Sequence, residues 1–276
     1  MVMERSEIRK TDLQTPVRNR YFFGKLLDVY HFELETNYVN TKRWLLNRLA
    51  FGVGVVCGLD VLCGPEPHTV VITPGLAIDK WGREIIVPQA TDPIPIPADL
   101  IPPPDEKPPG GHGYGGQQDQ GQQQQQRYYE ERRERDEEAW VKVMLCYHEC
   151  ESDPVPVMAG DCRGADACAA GTIREKYRVT FQKGRSHSVY TQPASPDFIP
   201  RDRLNYESVV RWVTDNCPEP PRNPCITLAN VRVTEGGHCG KQENIDIYVR
   251  PIVYSNDLLY NLILSLLIDR RERYEK

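Results

Sequence analysis

The sequence predicts an α+β protein, mainly β: an antiparallel β domain with an amphipathic helix at each end and a disordered insertion between. Three observations lead there. Short runs with period-two alternation, Val53 to Cys63 above all, recur along the chain between glycines and prolines. Two other segments, beginning near Asp28 and Leu258, repeat their apolar residues at helical spacing. Residues 102–126 are prolines, then glycines, then glutamines, a composition that cannot build a core. At 276 residues the chain can bury a core.

The elements divide the chain into a charged arm (1–20), a helix with short strands (21–98), and a low-complexity insertion ending in a charged helix (99–138). A β-rich continuation (139–254) and a C-terminal helix (255–276) complete it. The first helix starts at Asp28, which can cap it. Leu34, Tyr38, Leu45 and Leu49 fall on one face, and Gly52 and Gly54 stop it. That face serves either the core or a subunit interface. Val53 to Cys63 reads as one strand with every odd residue on the buried face. Cys57 and Cys63 then lie about 20 Å apart at about 3.3 Å per residue, too far to bond without a bend. A bulge near Gly58 would supply one.

Residues 69–88 read as consecutive strands. Pro74-Gly75 is a turn pair, Asp79-Lys-Trp-Gly82 has the residues a type I turn favours, and Arg83 to Val87 returns. The proline-alternating run 92–97 ends the pairing as an extended edge. Tyr128 to Glu138 is a solvated charged helix. Strands resume at Trp140–Glu149, Arg174–Phe181, Ile226–Val233 and Ile245–Val249, with a short helix over Asn205–Asp215. In the last helix Leu258, Leu259, Leu262, Ile263, Leu266 and Leu267 form a wide stripe. Leu259, Leu262 and Leu266 on it are candidate interface residues, with core packing as the alternative.

The net charge of −5 argues against nucleic acid as a partner, because neutralising a phosphate backbone needs a basic surface. No run of about 18 apolar residues offers a membrane span. The polar N-terminus does not read as a signal peptide. The expected location is the cytoplasm, with release only by lysis or inside an assembly.

Nine cysteines, an odd number, leave three readings open: buried reduced thiols, a structural metal site, and disulfides. Cys146, Cys150, Cys162 and Cys168 lie within 23 residues, with His148 among them, and could hold a structural zinc. Their spacings are not those of zinc knuckles. Cys217, Cys225 and Cys239 could form a second cluster. No other cofactor is indicated. No serine sits in a nucleophile elbow. His31, His68, His112, His148, His187 and His238 have no patterned partners, and Asp60, Asp79 and Glu84 form no acid–base pair. Gly52-Val-Gly54 precedes a strand, so it is not a phosphate loop.

The first ninety residues carry a recognisable order: Gly24-Lys-Leu-Leu27, His31-Phe32, Phe51-Gly-Val-Gly-Val55, Gly58-Leu-Asp-Val61, and Pro74-Gly-Leu-Ala-Ile-Asp79 with Gly82-Arg-Glu-Ile85. This order resembles a group of uncharacterised proteins of phage-tail-like contractile injection systems. More distantly, it is similar to the N-terminal shoulder of the type VI secretion baseplate adaptor. Asp153-Pro-Val-Pro-Val157 and Arg250 to Leu259 resemble further pieces of the same group. The likeness implies a trimer-forming, shoulder-like β region at 21–98 that connects a baseplate to other particle subunits. The missing catalytic pattern adds the expectation that the chain is not an enzyme; a zinc-stabilised binding module is the alternative, and a hydrolase with an unrecognised site the third reading. The chain departs from the adaptor in having Phe51-Gly52 where the adaptor has Trp-Gly, in the glutamine-rich insertion, and in its shorter length.

Overall fold

The structure, a computed structural model, describes residues 15–101, 140–156, 168–187, 205–215, 219–233 and 244–274. Helix α1 spans Val29–Leu46. Asp28 caps it from an extended conformation, its carboxylate accepting the His31 N–H at 3.1 Å. That bond and the neighbouring His31 ring hold the Asp28 carboxyl below the usual carboxylate range. A wider turn, Asn47–Phe51, ends the helix at Gly52, whose φ of +93° suits only glycine.

The predicted strand from Val53 to Cys63 is two strands in two sheets. β1 (Gly54–Gly58) carries an irregularity between Val55 and Cys57, and β2 (Val61–Cys63) follows a sharp bend. Gly58 and Leu59 make that bend at φ +63° and +57°. Leu59 and Val61 are fully buried while Cys57 is exposed, so the two cysteines do not share a buried face. Val55, Leu59 and Val61 keep the predicted burial across the change of sheet because both sheets point toward the same core, and Cys57 loses it at the irregularity in β1.

β3 (Thr69–Ile72), β4 (Gly75–Ile78), β5 (Glu84–Val87) and the two-residue β6 (Ile94–Pro95) follow as the turn residues direct. One sheet has the order β1-β4-β5 and a second β2-β3-β6, all antiparallel. The third is built from β7 (Trp140–Pro156), β8 (Cys168–Lys183), β9 (Ile226–Arg232) and β10 (Ile245–Asp246), in the order β10-β9-β7-β8. The molecule is thus α+β and mainly antiparallel β.

A single apolar cluster joins the three sheets, with Leu59, Val61, Ile72, Ile85, Leu145 and Ile226 at its centre. Such burial, worth about 1.5–3 kcal/mol per large side chain, is the main source of stability. The segment before the last helix closes the first sheet. Ile252 bridges Val55 in parallel; Val55 N–H donates to Pro251 O at 2.8 Å, and Val253 N–H donates to Val55 O at 2.9 Å. A Cβ at Gly54 would stand 2.4 Å from Pro251 O, so only glycine permits this approach.

β7 and β8 extend well past their predicted bounds. Each supplies the other's hydrogen bonds, so the ladder persists where side-chain alternation no longer signals a buried face. From Val141↔Lys183 to Pro156↔Cys168 they form one hairpin ribbon; beyond the Tyr147↔Tyr177 pair its β8 strand is exposed on both faces, while His148, Cys150 and Ser152 of β7 are half-buried. Helix α2 covers Tyr206–Asp215, and α3 covers Asn256–Tyr274 with Ser255 Oγ accepting the Leu258 N–H. The insertion, Cys162, Cys217, Cys239, His112 and His238 lie outside the described residues.

Candidate functional site

α1 is anchored at its C-terminal end. Asn47 Nδ2 donates to Gly82 O at 2.9 Å and to Glu84 Oε1 at 2.8 Å, and Arg43 pairs with the same Glu84 oxygen at 3.0 Å. Trp44, 7% exposed, is the buried side chain of the helix. Its carbonyl lies so close to Gly82 that an added Cβ would stand 1.9 Å away.

The turn that receives α1 is itself fixed from within. Asp79 is fully buried. Its Oδ1 accepts the Trp81 and Arg83 N–H groups at 2.8 and 2.9 Å, and its Oδ2 pairs with the Arg83 guanidinium at 2.7 Å. That guanidinium lies between the rings of Trp81 and Tyr147, 4.6 and 4.4 Å from their centroids. Burial, and next the hydrogen bond to Glu149, push the Tyr147 hydroxyl far above its ordinary value. Trp81 Nε1 and Lys80 N–H donate to Pro221 O and Pro224 O, tying the turn to the loop before β9. The carboxylates that failed to suggest acid–base chemistry are therefore structural. Asp79 builds the turn, Glu84 holds α1, and Asp60 faces the mostly buried Arg250 at 3.8 Å.

Beyond this root α1 has few neighbours. Of the predicted interface residues, Leu34, Tyr38 and Leu45 are half-buried and Leu49 is exposed. Sequence reasoning missed the other side of the helix, where Val29, Tyr30, Phe32, Val39 and Leu46 all face water. Apolar residues are scattered around the helix between Glu33, Asn37, Asn40 and Lys42 rather than gathered along one stripe. Tyr21, Phe22 and the fully exposed Phe23 precede it. On α3, Leu259 and Leu262 are 42% and 43% exposed, alongside Tyr260, Ile263 and Leu264. The Leu266 side chain lies outside the described residues.

The four-cysteine zinc set requires correction. Cys146 is bonded to Cys225 at 2.00 Å, and a disulfide sulfur is not a thiolate ligand. The cause is sheet geometry: Ile226 pairs with Leu145, so the preceding Cys225 comes opposite Cys146. Cys150 and Cys168 are free but sit at different levels of the ribbon, opposite Arg174 and Pro156. Six residues of strand, about 20 Å, separate those levels, against a zinc–sulfur bond of about 2.3 Å. Among the described residues no group of three or more His, Cys, Asp or Glu is placed to hold a metal.

A shallow hollow of about 480 Å³ is lined by Lys80, Arg185, Ser186, His187, Thr227, Val249 and Pro251. Asn230, fully buried, fixes its rim by exchanging two hydrogen bonds of 2.9 Å with the Ser186 backbone. Burial holds the Lys80 ammonium below its ordinary range. Arg185 is taken up by Asp246 at 3.0 Å and by the Trp140 ring. No helix in the described residues is long and apolar enough to cross a membrane. No protein-family model matches the chain, and no curated protein sequence matches it.

Proposed function

We propose that this chain is a structural, non-enzymatic subunit that works by being docked against. It would assemble as a trimer at the baseplate, or as a fibre connector, of a phage-tail-like contractile injection particle. It is made in the cytoplasm and leaves the cell within the particle. One observation carries the docking part of the reading: α1, at Val29, Tyr30, Phe32, Val39 and Leu46, and α3, between Leu259 and Leu264, present apolar side chains to water while the β base holds their roots. Contiguous exposed apolar surface marks an interaction site. Other copies of this chain are the occupants that would cover α1 and α3. The order of motifs in the first ninety residues supports the particle assignment.

Sedimentation of the purified chain at micromolar concentration tests the reading. The expected result is a trimer that Phe32→Glu with Leu262→Glu disperses, with sheath, tube or spike subunits co-purifying from the native source. A wild-type monomer with no particle subunit attached would overturn it.

A further inference from the structure

The β7–β8 ribbon has two faces of opposite charge, and the register sets which residues share each. Tyr147 and Tyr177 pair and pack on the core. The face continuous with them carries, farther out, the Glu149↔Glu175 pair and Glu151 opposite Ile173. All three carboxylates are exposed, and none has a basic partner among the described residues. Tyr147 Oη donates to Glu149 Oε1 at 3.0 Å, which leaves that charge in place.

The opposite face carries Arg178 beside Cys146, Lys176 paired with His148, and Arg174 paired with Cys150. Among the described residues, Arg174 is bound by Asp153 at 3.1 Å, whereas Arg178 meets only the His148 ring, at 3.1 Å, and Lys176 is exposed without an acidic partner. The ribbon is therefore acidic on one side and basic on the other. From Glu149 to Pro156 it runs on for roughly 25 Å at about 3.3 Å per residue. A bare two-stranded ribbon of this kind is marginally stable by itself.

We propose that this ribbon is the arm by which one copy of the chain grips the next, its acidic face seated on the basic face of a second copy. Both complementary surfaces belong to one chain, which identifies the occupant. They lie on opposite sides of a thin ribbon, so a twofold dimer would place like on like. A head-to-tail contact places acid on base and repeats around a ring of three or more copies. The inference rests on the homo-oligomeric reading above and adds the element that sets its direction.

Sedimentation equilibrium of the full chain tests it with four exposed substitutions. Glu151→Lys with Glu175→Lys makes both faces basic; Lys176→Glu with Arg178→Glu makes both acidic. Each pair is expected to weaken self-association by about a hundredfold or more, since juxtaposed like charges are strongly unfavourable. All four together exchange the faces and restore the wild-type mass, and an equimolar mixture of the two pair variants forms mixed pairs without closing a ring of three, whose third contact would set like on like. Wild-type association weakens in about 0.5 M salt, where the screening length is only a few ångströms. Pair variants that keep the wild-type mass, or a fourfold variant that stays dispersed, overturn the proposal. If Phe32→Glu with Leu262→Glu disperses the oligomer while the pair variants do not, the oligomeric reading stands and the ribbon arm fails. A monomeric wild type removes both. Equal far-UV circular dichroism across the set confirms that the variants fold.

Discussion

Replacing Gly82 with alanine should loosen α1 from the β base, and Gly52 provides an internal reference for the size of the effect. The two glycines have nearly the same φ, +90° and +93°. Gly52 also has ψ −178°, a region essentially confined to glycine, and forcing an L side chain into positive-φ backbone of this kind costs about 1–3 kcal/mol at either site. Their surroundings differ. A Cβ at Gly52 meets nothing within 4 Å, but at Gly82 it would stand 1.9 Å from the Trp44 carbonyl oxygen and 2.7 Å from its carbon. Those atoms are backbone, so relief requires the helix end to shift, which strains the Asn47 and Arg43 bonds to Gly82 and Glu84. Overpacking of this kind adds about 1–3 kcal/mol. Gly52→Ala should therefore cost about 1–3 kcal/mol and Gly82→Ala roughly 2–6 kcal/mol, the excess being the overpacking against Trp44. With a urea slope of about 2–3 kcal/mol/M, the second midpoint falls by about 1 M or more. Urea titration followed by far-UV dichroism and by tryptophan emission, to which buried Trp44 contributes, measures both. Equal losses for the two variants would refute the claim that the Asp79–Gly82 turn is the seat of the helix.

Three other outcomes are expected. Leu145→Ala removes a fully buried side chain from the centre of the apolar cluster and should cost about 2–5 kcal/mol in chemical denaturation. Joint Cys146→Ser and Cys225→Ser substitution opens a cross-link spanning 79 residues and should lower stability by about 2–4 kcal/mol; reducing the wild type should reproduce the loss. The Asp28 carboxyl titrates below its ordinary 3.8 in the folded chain, so its capping contribution is complete above that value and disappears as pH falls through the depressed one. The protection of amides in the first turn of α1, at His31 above all, should fall between about pH 5 and pH 2 when exchange is compared with the intrinsic rate at each pH. Asp28→Asn should remove that pH dependence.

What could be read in the sequence was what acts over short distances. Asp28 caps a helix three residues away, Asp79 and Gly82 close a four-residue turn, and the proline run 92–97 yields only a two-residue edge strand. These need no knowledge of distant residues. The break at Gly58-Leu59 was hidden because alternation reports that a face is buried, not which sheet buries it. The Cys146–Cys225 bond was hidden for a different reason: β7 and β9 pair across 79 residues, and nothing near either cysteine announces the other. The helical spacing was legible, but a stripe does not say what covers it: Leu49 beyond α1 and Leu259, Leu262 and Ile263 on α3 are exposed, because no second layer lies over them among the described residues. The charge separation on the ribbon needed the register. Glu149 and Glu175 are 26 positions apart in sequence yet directly opposite in the sheet.

The parallel bridge at Val55 has a mechanical corollary. Tension drawn along α3 reaches Val253 within a few residues and loads its hydrogen bond to Val55, together with the one from Val55 to Pro251. Force along paired strands acts in shear, so these bonds resist together rather than opening in turn. The load then passes along β1 toward Gly52 and the root of α1 without crossing the interior of the sheets. A pull on one end of the chain is thus handed to the other through a single strand, and the apolar core is spared as the transmission element.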